Sequence, residues 1–339
     1  MVVRSLLGVL AVVLIGLVVI LYNIWPMLSS SGSVELTEQH RSHQLSQNEA
    51  EQTGAPNVYM TSAMTTEGLM NVYQALEKQL NGDNIAVKLS TGEPGSNYLD
   101  PQLIKELVQS VNGTIVECNT TYGGQRGETE MHYQVAADHG FTDIAEVVIM
   151  DENGSVSIPV EGGSRLSENL VGAHFPEYDG FLVLSHFKGH AMAGFGGALK
   201  NISIGIASKE GKCLIHTAGA SNTSPWGGEQ NPFLESMAEA GKSVSDSLDG
   251  NILYVNVMNR LSVDCDCDPN PAEPDMHDIG ILASTDPVAL DQACVDLVYE
   301  AEDGASLVAR MESRNGEHVL QHGEEIGLGS RSYNLVSID

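Results

Sequence analysis

The spacing of hydrophobic positions along the chain predicts alternating helices and strands. Apolar residues three and four apart predict a helix over residues 68–80, whereas the continuous apolar run at 84–89 predicts a buried strand. The same patterns predict further helices from Pro101 and over 128–139, 232–248 and 287–301, and strands over 114–118, 145–150, 179–185, 251–258 and 279–284. Residues 186–205 show few regular signals, and two shorter helices are expected after residue 301. This alternation is typical of mostly parallel sheets covered by helices, so the predicted fold class is α/β, arranged in two lobes.

An apolar run at the N-terminus predicts a membrane-spanning helix. Residues 6–22 carry no charge and residues 24–28 extend the run; roughly 20 residues at about 1.5 Å each cross the hydrocarbon layer. Arg4 precedes the run and no Lys or Arg follows before Arg41, which places Met1 in the cytoplasm and the rest outside. A cleaved signal peptide is the alternative, but the run is long for one and lacks a small-x-small cleavage pattern.

The chain is therefore predicted to be a single-pass protein of the cell membrane. Residues 1–28 form the anchor, which contacts the lipid bilayer through residues 6–28. Residues 29–56 are polar, lack hydrophobic periodicity and are expected to form a flexible stalk. Residues 57–339 form the extracytoplasmic α/β domain.

The charge of the chain excludes one class of partner. Asp and Glu number 45 against 16 Lys and Arg, for a formal net charge of -29. Binding to phosphate backbones depends on Lys and Arg, so nucleic acid is not an expected partner. The five cysteines are too few and too unevenly placed for a disulfide scaffold. A small molecule or a metal ion is the expected ligand.

Polar, glycine-containing segments follow four of the predicted strands. They are residues 90–95, 119–124, 185–190 and the loop that contains Cys265 and Cys267. In open α/β sheets, ligands gather beyond the carboxyl ends of the strands. These four segments are therefore expected to converge on a single cleft.

The densest group of reactive side chains lies in residues 186–201. Glycines allow the backbone to approach a ligand, imidazoles bind metals or transfer protons, and a desolvated lysine can hold a carbonyl or a phosphate. The candidate ligand- or cofactor-binding residues are His186, Lys188, Gly196, Gly197, Lys200 and Asn201. A tight packing loop with surface histidines is the alternative interpretation.

Cys265 and Cys267 form a second candidate site. Alternate residues of an extended segment face one side, so two thiolates there can chelate a soft metal, with nickel, iron and zinc as the candidates. Two cysteines do not complete a four-ligand site, and His190 is the candidate third ligand. A disulfide and two free thiols are the open alternatives.

Several segments resemble the prokaryotic family known as domain of unknown function 362. The likeness covers roughly residues 86–339 and is carried by residues 87–93, 117–120, 185–190, 196–201, 264–267 and, most specifically, 278–293. Many members of that family carry a ferredoxin-like insert with two cysteine-rich cluster motifs. This chain has no cysteine between Cys213 and Cys265, so no ferredoxin-type iron–sulfur cluster is expected.

Residues 190–200 are also similar to a segment of the lactate racemases that use a nickel-pincer nucleotide. In those enzymes a lysine bears the cofactor, and nearby histidines bind nickel or move the proton. The resemblance implies that Lys200 holds a cofactor, with His190 and His216 as acid, base or ligand. Leu199 departs from the pattern, because a basic residue is common at that place.

Two hypotheses on function follow. The first is a metal- or cofactor-dependent enzyme, an oxidoreductase or isomerase of a small hydroxy or carboxylic acid, in which His190, His216 and Lys200 are catalytic. The second is a non-catalytic extracytoplasmic protein that binds a metal or a solute in the same cleft.

Overall fold

The strands of residues 54–339, the part of the chain described by this computed structural model, gather mainly into one large sheet. They are β1 Asn57–Thr61, β2 Ile85–Lys88, β3 Gly113–Glu117, β4 Val147–Ile149, β5 Ser155–Pro159, β6 Glu168–Gly172, β7 Gly180–His186, β8 Lys188–His190, β9 Gly194–Gly196, β10 Ile252–Met258, β11 Gly280–Ser284 and β12 Asn334–Ser337. Eight of them form the sheet in the order β12-β1-β11-β10-β7-β2-β3-β4. Within it β11 is antiparallel to both of its neighbours, and every other pair is parallel.

Helices follow most of these strands and begin at recognisable caps. They are α1 Thr66–Gln74, α2 Pro101–Ser110, α3 Thr129–Asp138, α4 Ala198–Ser203, α5 Lys209–His216, α6 Gln230–Ser247, α7 Pro287–Glu300, α8 Ala305–Ser313 and α9 His318–Glu325. Asp100 accepts a hydrogen bond from the first turn of α2, and Asp286 does the same for α7. In both helices a proline occupies the first position, where no backbone N–H is needed.

The sheet is buried on both faces. One hydrophobic cluster includes Phe181 and Val183 of β7, and a second includes Leu182 and Leu184 of the same strand. All seven residues of β7 and of β10 are buried. Parallel strands covered on both faces read as continuous apolar runs, which is why the hydrophobic pattern predicts them well.

The chain reverses its direction of travel across the sheet beside β2. From β2 it proceeds outward through β3 and β4, and it then returns to place β7 and β10 on the other side of β2. The gap between the carboxyl ends of β2 and β7 is thus the topological switch point of the sheet, where open α/β folds bind ligands.

The predicted α/β class with a mostly parallel sheet is confirmed. The described residues lie within one compact unit built on a single large sheet, and two separate lobes are not distinguished in it. The hairpins β5–β6 and β8–β9, the edge strands β1 and β12, and the helices α4 and α5 were not predicted. The helix predicted over 68–80 ends at Gln74, and Glu77 has a left-handed φ of 50°.

The predicted anchor over residues 1–28 lies outside the described residues, as does the stalk up to residue 53. At the stalk's end, Ala55 and Pro56 accept hydrogen bonds from Asn334, so they already contact the domain. No helix within residues 54–339 is long and apolar enough to span a bilayer.

Candidate functional site

A cavity of about 470 Å³ lies at the switch point of the sheet. Each of the four segments predicted to converge contributes to its wall, with Ser90, Thr120, His186 and Cys265 among the lining residues. All ten residues singled out in the sequence line it: His186, Lys188, His190, Gly196, Gly197, Lys200, Asn201, His216, Cys265 and Cys267. The predicted convergence on one cleft is therefore confirmed.

Lys200, in the first turn of α4, is the least compensated cation of the cavity. It is partly buried and forms no ion pair among residues 54–339. Burial, together with the positive charges of Arg126 and Lys88, lowers the pKa of Lys200 to about 8. Gly196 leaves room for the lysine chain, because a Cβ there would lie 3.1 Å from Lys200 Cδ. Lys200 therefore presents an amine that is partly neutral near physiological pH.

His190 and His216 face the cavity with opposite hydrogen-bonding patterns. His190 Nδ1 accepts the backbone N–H groups of Met192 and Ala193 at 3.2 and 2.9 Å, so its ring proton is on Nε2. His216 Nδ1 donates to the Lys212 carbonyl at 2.7 Å, which leaves Nε2 as an acceptor. Burial lowers both pKa values, well below the usual range for His190 and to about 4 for His216. Both rings are therefore neutral at pH 7, one a donor and one an acceptor.

A buried charge network closes the floor of the cavity. Lys88 Nζ and Arg126 Nη1 each lie 3.1 Å from a carboxylate oxygen of Glu117, and Arg126 Nε lies 3.2 Å from Glu93. Burial alone would raise the pKa of Glu117, but Lys88 and Arg126 hold it well below its usual value. Asn201 ties this network to the switch point, because its amide donates to the carbonyls of Lys88 and Leu184.

Lys188 and His186 are committed to internal partners. Lys188 Nζ bonds to the Asp266 carboxylate, and His186 Nδ1 lies 3.3 Å from the same group. His186 Nε2 donates to the Asn259 carbonyl at 2.7 Å. Burial alone would raise the pKa of Asp266, yet the charge of Lys188 lowers it. Lys188 therefore ties the 263–278 loop to β8, while both residues still line the cavity, so their predicted role in ligand binding stays a prediction.

Cys265 and Cys267 are joined as a disulfide on the cavity wall. A ring nitrogen of His190 and the two sulfurs all lie within 4.8 Å of one another, so the predicted metal-site residues are together. Of the three alternatives left open by the sequence, the structure has the disulfide. Cys118, Cys213 and Cys294 are free and buried.

Four charged residues of the cavity were not predicted, namely Lys88, Glu117, Arg126 and Lys212. Lys88 and Glu117 are the last residues of the short strands β2 and β3 and follow apolar residues in the sequence. Buried charged side chains are rare unless they are paired, so a charge at such a position indicates an ion pair. Lys212 is 5% exposed, lines the cavity and forms no ion pair within the described part of the chain. No local pattern distinguishes it, because its placement depends on α5.

The chain belongs to the family described as Domain of unknown function (DUF362), which residues 85–296 match. Among solved structures, it is similar to the lactate racemase apoprotein from Thermoanaerobacterium thermosaccharolyticum, with 21% identity, a TM-score of 0.38 and coverage of 60% of this chain and 50% of that one. A structural-genomics crystal structure of a Thermotoga maritima protein shares 14% identity, with a TM-score of 0.42 and coverage of 70% and 59%. This chain thus spans about half the length of the racemase that it matches. No curated protein matches it.

Proposed function

We propose that this protein is an isomerase or oxidoreductase that acts on a small hydroxy or carboxylic acid bound in the cavity. The observation that carries the proposal is the pair Lys200 and Lys212, which line the cavity without ion-pair partners among residues 54–339; Lys212 Nζ also donates to the Ala207 carbonyl. In a chain of net charge -29, two unpaired ammonium groups in one cavity favour an anionic ligand. A carboxylate is the simplest ligand that neutralises one of them.

The two histidines suit proton transfer beside such a ligand. His216 Nε2 is an acceptor that can take a proton from a substrate carbon or hydroxyl, because its ring is neutral at pH 7. His190 Nε2–H can donate a hydrogen bond to the negative oxygen that forms. Lys200 would hold the carboxylate or carry a cofactor.

The residues at Lys200 fit the covalently held organic cofactor that the racemase-like segment implies. The amine has no competing carboxylate partner in the described chain, and Gly196 leaves space beside it. When bound, such a group would supply the electron sink that hydroxy-acid chemistry requires. This chain's own residues would position the acid and move its proton.

The set His190, Cys265 and Cys267 fits a metal poorly as it stands. Nickel, iron and zinc bind thiolates and unprotonated imidazole nitrogens. Here the two sulfurs are bonded to each other, and Nδ1 of His190 is occupied by two backbone N–H groups. We therefore assign no step of the reaction to a metal at this place.

A non-catalytic solute-binding role is the second candidate. It is favoured by the lowered pKa values of both cavity histidines, which make them weak bases. Binding without conversion of any acid would select this role over the enzyme.

The test measures binding and turnover separately in the full-length protein. A panel of 2-hydroxy acids is screened by calorimetry for binding and by proton NMR in deuterated water for exchange at the carbon next to the carboxylate. We expect Lys200→Met to weaken binding about 10-fold to 100-fold, as for loss of a charged hydrogen bond. His216→Gln should retain binding and slow exchange by about 10² or more.

Lys105→Met is the matched control, because Lys105 is an exposed lysine of α2 outside the cavity. Binding that is equally weakened by both lysine substitutions would contradict the proposed anion site. The proposed membrane anchor over residues 6–28 would hold this site outside the cytoplasm. Digestion of the domain by protease added to intact spheroplasts tests that placement, and full protection would refute it.

A further inference from the structure

The Cys265–Cys267 disulfide is accessible to small molecules. Both cysteines are partly exposed and line the cavity, whereas the three free cysteines of the described chain are buried. A thiolate that enters the cavity can therefore reach the disulfide sulfurs, and access is one of the conditions for exchange.

A structural role accounts poorly for this disulfide. The bonded cysteines are separated by only two positions, and the stabilisation from a crosslink falls as the closed loop becomes shorter. The loop is also held by other bonds. Asp266 is paired with Lys188, its carbonyl accepts the Glu93 N–H at 2.8 Å, and Asp264 lies 3.1 Å from Arg310.

A backbone donor is directed at Cys265 Sγ, and a histidine ring lies near both sulfurs. The backbone N–H of Cys267 donates to Cys265 Sγ at 3.3 Å. A ring nitrogen of His190 lies within 4.8 Å of both sulfurs without a hydrogen bond to either, so the free Nε2–H group of that ring can reach a thiolate once the disulfide opens. Donors next to a sulfur favour the thiolate, the form that leaves when a disulfide is opened.

We propose that Cys265 and Cys267 form a redox-active pair that exchanges with a small thiol bound in the cavity. The incoming thiolate attacks Cys267 Sγ, the Cys265–Cys267 bond breaks, and Cys265 leaves with the electron pair as a thiolate held by the Cys267 N–H and by His190. A second thiolate then attacks the mixed disulfide at the sulfur of the bound thiol. The small thiol leaves as its disulfide, and the protein is left with two thiols, so two electrons pass to the protein.

The charge of the cavity defines the class of thiol. Lys200 and Lys212 face the same cavity without ion-pair partners in the described chain, so a thiol that carries a carboxylate is favoured over a neutral or cationic one. This preference uses the anion site of the proposed function. The exchange reaction itself does not depend on hydroxy-acid turnover, so each can fail without the other.

The first experiment counts and ranks the thiols of the folded full-length protein. After mild reduction and removal of the reductant, a chromogenic disulfide reagent should react rapidly with two thiols, and with the other three only after denaturation. In the single variants, Cys267→Ser, which keeps Cys265, should be alkylated by iodoacetamide faster than Cys265→Ser. Resistance of the disulfide to reduction in the folded protein would overturn the proposal.

The second experiment tests His190 and the class of thiol. Opening of the disulfide is timed with mercaptoacetate, 2-mercaptoethanol and cysteamine, at equal thiolate concentration and low salt. Mercaptoacetate should react about 10-fold faster than cysteamine, and the difference should shrink as salt screens the charges.

His190→Gln should slow all three thiols, whereas His277→Gln, an exposed control outside the cavity, should slow none. Equal rates in wild type and His190→Gln would remove His190 from the mechanism. Equal rates with the three thiols would refute the preference for an anionic thiol and leave the exchange reaction to be judged on the first experiment.

Discussion

Asp266 joins the Cys265–Cys267 loop to the wall of the cavity, and its replacement should strongly destabilise the fold. Its carboxylate is bonded to Lys188 and lies 3.3 Å from His186 Nδ1, and both basic side chains are buried. Asp266→Asn keeps the size of the side chain but removes its charge. The Lys188 ammonium group, 2% exposed, is then left without a counter-ion.

The expected loss follows from that burial. Removing one partner of a buried ion pair typically destabilises a protein by about 3–5 kcal/mol, because the remaining charge stays desolvated. Asp264→Asn is the matched control two residues away. Asp264 lies 3.1 Å from Arg310, but their side chains are 22% and 24% exposed, so its loss should amount to about 0.2–1 kcal/mol.

Urea unfolding of the full-length proteins, followed by far-ultraviolet circular dichroism, measures both changes. The pKa of Asp266 is lowered in the folded protein, so its contribution is fully present above the unfolded value of about 4 and decreases progressively as the pH falls from there towards the lower folded value. The destabilisation by Asp266→Asn should therefore be largest at neutral pH and shrink in acid. Equal losses for Asp266→Asn and Asp264→Asn at pH 7 would refute the assignment of a buried, desolvated pair.

Three other side chains give separate predictions. Burial alone would raise the pKa of Glu239, but hydrogen bonds from His322 and from backbone N–H groups lower it to about 2. Glu239→Gln should therefore destabilise the fold by about 2–3 kcal/mol at pH 7 and by progressively less as the pH falls from about 4 to about 2. Urea unfolding over that range measures the difference, and a loss that does not change with pH would contradict the prediction. Gly197→Ala places a Cβ 2.3 Å from Asp291 Oδ1, so it should lower the free energy of unfolding by about 1–3 kcal/mol. A thermal unfolding midpoint equal to that of the wild type would contradict this packing. Because the pKa of Lys200 is lowered to about 8, the rate of its acylation should increase near pH 8, whereas surface lysines should require a higher pH. Mass spectrometry of the acylated peptides measures both rates, and the same pH dependence for Lys200 and the surface lysines would argue against its lowered pKa.

The strands that build the site were predictable because they are buried on both faces. β2, β7 and β10 are each built on a run of three or more apolar residues, and such runs are typical of a parallel sheet covered by helices. The polar segments at the carboxyl ends of parallel strands meet at one edge of the sheet, which is why the four segments that line the cavity could be selected from the strand pattern. What the side chains do there was less predictable, since Lys188 is paired with Asp266 and His186 donates to the Asn259 carbonyl.

The elements that were missed depend on contacts between distant parts of the chain. β12 pairs with β1, which lies more than 270 residues earlier in the sequence, and the local pattern of residues 334–337 does not indicate that partner. The short hairpin β8–β9 lies in a glycine-rich stretch, where hydrophobic periodicity carries little information. The tautomers of His190 and His216 are likewise set by neighbouring backbone groups, which only the folded chain supplies.

The buried network at Lys88, Glu117 and Arg126 explains how an acidic chain sustains a cationic cavity. Two cations share the Glu117 carboxylate, and Arg126 also reaches Glu93, so these charges neutralise one another in the floor. Lys200 and Lys212 line the same cavity without such partners within residues 54–339, and burial, together with the positive charges of Arg126 and Lys88, lowers the pKa of Lys200 to about 8. An anion in the cavity would offset that repulsion and raise the pKa again, so bound ligand should protect Lys200 from acylation by favouring its protonated form. Protection that is lost in a Lys212→Met variant would indicate that both lysines act on the same anion.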